Sequence, residues 1–283
     1  MKLSRCIAML LGGVLVSIPV AARAAVVVRS AGGPDPASIT AARDQFRLDL
    51  GGGTVPGANG SFGGVRREIN WDGVPDSLSS PNTLPNDFFN VNSPRGAIFV
   101  PNDPGDSFQV SADDSNPTGT PVEFGEIDPS YPGIFQTFSP QRLFATRGDT
   151  NMQVLFRVPG TTTPATVKGF GAVFTDVDLN ATIEFFDSAN NSLGAFAAPA
   201  ANNGLSFLGV SFNAGERVAK VQIVSGNTVP NPGNLDGGTV DIVVMDDFIY
   251  AEPQGVPEPA TFVLGALGLA AFLLARRKGP RRV

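Results

Sequence analysis

The chain has 283 residues, 33 of them Gly and 24 Pro, and carries 20 Lys/Arg against 26 Asp/Glu, a formal net charge of −6. It has no His, and its one Cys is Cys6. Ser-His-Asp and Cys-His hydrolysis are therefore excluded, as are His- or Cys-ligated zinc and haem in the body of the chain.

The first 24 residues have the three parts of a secretory signal. Lys2 and Arg5 are the charged region, 6–20 the apolar region, and Ala22-Arg23-Ala24 a small-x-small cleavage site. Cys6 precedes the apolar run, unlike a lipoprotein cysteine. Residues 25–255 form the expected extracytoplasmic domain, with 12 basic and 25 acidic side chains, a net of −13. Nucleic acid is excluded as a partner, because it requires a basic surface. Without disulfides, stability must come from the core or from bound ions.

One helix is predicted, over 38–50, with Ser38 as N-cap, Phe46 and Leu50 on one face and Gly51-Gly52-Gly53 ending it. Long Pro/Asn/Asp/Gly-rich loops follow from 54 to 133, with short strands at 66–71, 97–100 and 108–112. Strands then recur at 135–138, 142–146, 152–158, 167–175, 182–187, 192–197, 206–212, 217–225 and 240–250. Val221 and Ile223 alternate with Lys220 and Gln222, and Asp187-Ser-Ala-Asn-Asn191 reads as a hairpin turn. This pattern predicts an all-β fold, an antiparallel β-sandwich of jelly-roll type. Phe, at 21 residues against two Tyr, is the expected core material.

The C-terminal segment 256–283 has three parts in order: Val256-Pro257-Glu258-Pro259-Ala260-Thr261, an uncharged run 259–275, and a basic end 276–283. The run is 17 residues, roughly 25 Å as a helix against a hydrocarbon core of ~30 Å. It is predicted to be a single transmembrane helix, with Arg276 and Arg277 snorkelling and the basic end cytoplasmic. The motif, helix and Arg-rich end resemble the PEP-CTERM sorting signal of Gram-negative bacteria, with Pro257, Glu258 and Pro259 as the sorting motif. The resemblance implies processing by an exosortase, a membrane peptidase. It also implies a cell-surface or extracellular-matrix fate in species that make exopolysaccharide and build biofilm. Segments 169–178, 204–210 and 244–250 further resemble blocks that recur in PEP-CTERM ectodomains, which are similar to carbohydrate-binding jelly rolls.

Three constellations are candidates for binding. Asp176, Asp178 and Asn180 alternate along a strand and share one side. They form either a Ca2+ site, completed by Asp246 or Asp247, or a solvated strand edge. An EF-hand is excluded because Ala181 stands where the loop needs Gly and 183–186 is strand-like. Asp246 and Asp247 are strand neighbours expected to face opposite ways, so one of them faces inward and needs a partner. Glu68, Asn70, Trp71 and Asp72 form a candidate glycan platform, Trp71 being either the stacking surface or core. Glu68, Glu123, Glu126 and Glu184 are candidates for carboxylate-dependent glycoside hydrolysis by residue type only, and no spacing pairs them. The sequence thus points to a non-enzymatic exported surface or matrix protein, or alternatively a calcium-stabilised carbohydrate-binding module.

Overall fold

A computed structural model describes residues 26–256. The predicted signal peptide, the sorting motif Pro257-Glu258-Pro259 and the predicted transmembrane helix lie outside them. Among the described residues no helix is long and apolar enough to cross a membrane.

In chain order the elements are β1 (Val26–Gly33), α1 (Pro36–Asp49), β2 (Ser61–Phe62), β3 (Arg66–Ile69) and α2 (Phe88–Val91). Then come β4 (Ala97–Pro101), β5 (Ser107–Val110), β6 (Phe144–Arg147), β7 (Asn151–Phe156), β8 (Ala165–Thr166) and β9 (Gly169–Val177). The last six are β10 (Ala181–Phe186), β11 (Ser192–Ala197), β12 (Ala201–Phe212), β13 (Lys220–Ser225), β14 (Val244–Ala251) and β15 (Gln254–Gly255). One sheet runs β1-β12-β9-β14-β3-β2, with β6 joining β14 and β5 joining β6. The other runs β11-β10-β13-β7-β4. Every pairing between these strands is antiparallel.

The two sheets share one core. Phe99 and Phe156, on the smaller sheet, meet Phe248 and Tyr250 on the larger one at centroid distances of 6.0 and 5.6 Å. Phe185 meets Phe212 at 5.4 Å. The antiparallel sandwich expected from the strand pattern is therefore present, with Val221 and Ile223 of β13 buried. The hairpin is also as expected: Phe186 pairs with Ser192, and Asp187 Oδ1 accepts the N–H groups of Ala189 and Asn191 at 2.8 Å. All nine residues of β9 are buried. They have a sheet neighbour on each side, and their outer face is covered as well.

Part of that cover is α1. Its N-cap is Asp35, not Ser38: the Asp35 carboxylate accepts the Ser38 N–H at 3.0 Å, and Pro36 supplies the first helical residue. Phe46 and Leu50 are buried, as the four-residue spacing predicts. Phe46 lies so close to the sheet that a Cβ at Gly209 would stand 2.7 Å from its ring and one at Gly171 2.9 Å from it. These two glycines let the helix dock. A second apolar cluster joins Phe124, Tyr131, Phe135 and Leu143 to Ile242 and Val244.

Several elements differ from the sequence reading, among them the short α2, β2, β8 and β15, none of which was expected. β1 was not expected; it pairs with β12 over its full length, Val26 opposite Phe212 to Gly33 opposite Leu205. Residues 135–138 are not a strand. The Phe135 N–H donates to the Tyr131 carbonyl at 3.0 Å, and two other N–H groups go to side chains, Gln136 N to Thr175 Oγ1 at 2.8 Å and Phe138 N to Asp246 Oδ2 at 2.6 Å.

Candidate functional site

The proposed glycan platform does not assemble. Trp71 is only 1% exposed. It stacks on Phe144 at 4.2 Å with an interplanar angle of 5°, meets the edges of Phe89 and Phe248, and donates its indole N–H to the Asp246 carbonyl at 2.7 Å. Neither ring face is open to a sugar. The cause is local: two residues past the end of β3, Trp71 has a φ of 66°, and this left-handed turn directs the side chain into the core. Asp72 accepts the N–H groups of Gln141 and Arg142 at 2.7 and 3.2 Å. Asn70 donates to Asp72 at 3.0 Å.

Glu68 and Asn70 instead line a cleft of about 500 Å3 between α1, β3, the 56–62 loop and the 138–139 segment. Arg43, Arg47, Arg95 and Asp247 are also in its wall. Glu68 is held by Arg47 at 2.6 and 2.7 Å and by Arg66 at 2.7 Å. Arg43 pairs with Asp44 at 2.8 Å and lies 4.6 Å over the Phe138 ring. Arg95 donates to the Glu68 carbonyl at 2.8 Å and lies over Phe89 at 5.1 Å, while its Nε is buried without a partner. Burial pulls both Arg43 and Arg95 below the usual guanidinium range. The sequence reading missed these arginines. The available signal was distribution: Arg43, Arg47, Arg66, Arg67 and Arg95 are five of the domain's 12 basic residues and fall within one short stretch.

Asp246 and Asp247 do not face opposite ways. Met245 pairs with Phe174 and Phe248 with Ala172, so two residues of β14 oppose Val173 alone. This is a β-bulge, and it suspends strand alternation. Both carboxyls consequently reach one hydroxyl: Ser139 Oγ is 2.8 Å from Asp247 Oδ1 and 3.1 Å from Asp246 Oδ1. Asp246 Oδ2 also accepts the N–H groups of Phe138 and Ser139 at 2.6 and 3.2 Å. Burial, with repulsion from Asp247, pushes Asp246 well above the usual carboxyl range. Burial pushes Asp247 up to about 6, against the hydrogen bonds from Ser139 and Asp246. The two carboxyls form a dyad that meets at the Ser139 hydroxyl, and burial disfavours their both being charged.

The candidate calcium set also divides. Carboxylate oxygens of Asp176 and Asp178 come within 4.8 Å of each other and of Asp236, a residue the sequence reading did not select. Asp246 and Asp247 belong to the separate dyad. Asp241 stands beside the first group and accepts the N–H groups of Asp178, Leu179 and Asn180 at 2.7–3.0 Å. Burial and the charges of Asp236, Asp178 and Asp241 push Asp176 up to about 7. Since Asp176 is fully buried, the solvated-edge reading does not hold for it. Asp236 sits in a Gly/Asn loop with no periodicity, and nothing in the sequence marks it.

Of the four glutamates with glycosidase-type chemistry, Glu68 alone lines the cleft, and it is committed to two arginines. Glu184, on β10, accepts from Ser192 at 2.6 Å.

Fold and site together define an antiparallel β-sandwich with an arginine-lined cleft and two separate aspartate clusters, each with a fully buried member. Residues 255–278 match the family described as the PEP-CTERM protein-sorting motif, so the chain carries that sorting signal. The motif implies export, membrane anchoring before sorting to the cell surface, and processing by an exosortase. No curated protein matches the chain.

Proposed function

We propose that the protein is a non-enzymatic component of the cell surface or extracellular matrix, delivered by its sorting signal and associated there with exopolysaccharide. The observation that carries this reading is the sorting motif at 255–278, joined to a β-sandwich that can be exported without disulfides. The sandwich is read as the jelly-roll kind that such ectodomains resemble. The non-enzymatic reading is supported by the chemistry left to the chain. It has no His, its only Cys is Cys6, and Glu68 is bound by Arg47 and Arg66 rather than free as a base.

Cell fractionation tests the delivery. The full chain is expected in the envelope or matrix fraction, and a chain lacking 257–283 is expected free in the medium. Replacing Pro257, Glu258 and Pro259 by Ala should leave the protein unprocessed in the membrane. An identical distribution of all three forms rejects the reading.

A second reading, direct glycan contact, is favoured by the cleft. Arg43 and Arg95 place cationic groups beside Asn70 in a domain of net charge −13. A charge-assisted bond to a carboxylate contributes about 1.5–3 kcal/mol, so uronate-bearing polysaccharide is the matching ligand class. Arg43→Ala and Arg95→Gln are expected to weaken binding of a uronate polymer roughly tenfold or more, without changing that of a neutral glucan. Equal binding of both polymers by both variants excludes the cleft.

A further inference from the structure

We propose that Asp176, Asp178 and Asp236 form a divalent-cation site, suited to Ca2+, that ties the β9–β10 turn to the 226–243 loop. Three carboxylate oxygens, one from each residue, lie within 4.8 Å of one another. That span matches oxygens arranged around an ion with Ca–O distances of about 2.3–2.6 Å. The set contains only oxygen, which selects hard cations over zinc or copper.

Proximity of acidic groups would not suffice alone. The independent observation is that Asp176 is 0% exposed and its Oδ2 has no hydrogen-bond partner. Asp178 Oδ1 is likewise buried and unpartnered. No Lys or Arg pairs with either residue, or with Asp236 or Asp241, among the described residues. Unpaired buried carboxylate oxygens are costly, and a cation among them removes the cost.

The surroundings also orient the carboxylates. Asp176 Oδ1 accepts the Asn203 N–H at 2.7 Å, leaving Oδ2 for the ion. Asp236 Oδ1 accepts the Ile242 N–H at 2.9 Å. Asp241, held by three backbone N–H groups of 178–180, fixes the turn that carries Asp178. Outer contacts of this kind set the geometry of metal sites. The group Asp103, Asp106 and Asp149 is also compact, but none of its atoms is buried without a partner. It serves as the internal comparison.

The test is calcium titration of the chelator-treated full chain in mild detergent, read by calorimetric binding and by Tm. At calcium a hundredfold above Kd, Tm is expected to rise by roughly 5–10 °C. Asp176→Asn and Asp236→Asn should weaken calcium at least tenfold. Without calcium they should melt no lower than the wild type, because each removes a like charge from the cluster. Asp103→Asn should leave the calcium response unchanged. Should Asp176→Asn not fold, the more exposed Asp178→Asn replaces it. Absence of binding heat and of any Tm shift up to about 10 mM calcium overturns the proposal, since extracellular sites bind in the ~0.1–1 mM range. A calcium response that survives in Asp176→Asn and Asp236→Asn, or is lost in Asp103→Asn, also overturns it.

Discussion

Trp71→Ala should destabilise the domain by about 3–5 kcal/mol, a large share of the ~5–15 kcal/mol typical of a folded domain. The indole is at the centre of an aromatic cluster, stacked on Phe144 and packed against Phe89, Phe99 and Phe248 at 4.2–5.8 Å. Truncation leaves a cavity that rings on four sides cannot easily collapse into. It also removes the donor to the Asp246 carbonyl, at the base of the dyad. Trp71→Phe separates the two losses: it keeps most of the packing and leaves the carbonyl without a donor, a cost of about 1–3 kcal/mol. Urea unfolding of both variants measures these differences. Trp71 is also the only tryptophan, so its fluorescence reports this site alone. Its emission should be blue-shifted, resist acrylamide quenching and ignore added polysaccharide. A solvent-quenched Trp71 that responds to glycan would contradict the burial seen here.

The second large effect is a pH dependence centred on Asp246 and Asp247. Both carboxyls titrate above their unfolded value of about 3.9. The folded state therefore binds more protons than the unfolded state across the interval from about 4 to about 6. Stability is highest at the acidic end of that interval and is lost as pH rises through about 6. For Asp247 alone, a shift from 3.8 to about 6 corresponds to about 3 kcal/mol at most, or roughly 6–12 °C in Tm. Melting should thus occur at lower temperature at pH 8 than at pH 5. Asp246→Asn imitates the protonated partner: its amide oxygen can accept from Phe138 N and its NH2 can donate to Asp247. This variant should reduce the slope to the part that Asp176, pushed up to about 7, contributes, and should match or exceed the wild-type Tm at pH 8. Asp246→Ala, which strands the Phe138 and Ser139 N–H groups, should melt lower at every pH. If wild type and Asp246→Asn show the same slope, the dyad does not carry the pH dependence.

Legibility differed from residue to residue for physical reasons. Phe46 and Leu50, four apart, shared a helix face because helical periodicity is local. Val221 and Ile223 pointed inward because strand alternation is local too. The helix start was displaced by three residues, since Ser38 and Asp35 both have capping chemistry and only the completed turn shows which accepts. β1 escaped notice because its burial alternates only between exposed and half-buried, and what defines it is pairing with β12, some 170 residues away.

By itself, the sequence determined the sorting signal, the antiparallel β class, the strongly acidic character and the absence of His and Cys chemistry. Each of these is a property of short segments or of composition. Only the tertiary structure decided which acidic residues meet. One extra residue in β14 turned Asp246 and Asp247 to the same side, a left-handed turn sent Trp71 into the core, and a loop some 60 residues away brought Asp236 to Asp176. Such placements depend on register and loop closure between distant segments, which no local pattern of residues encodes.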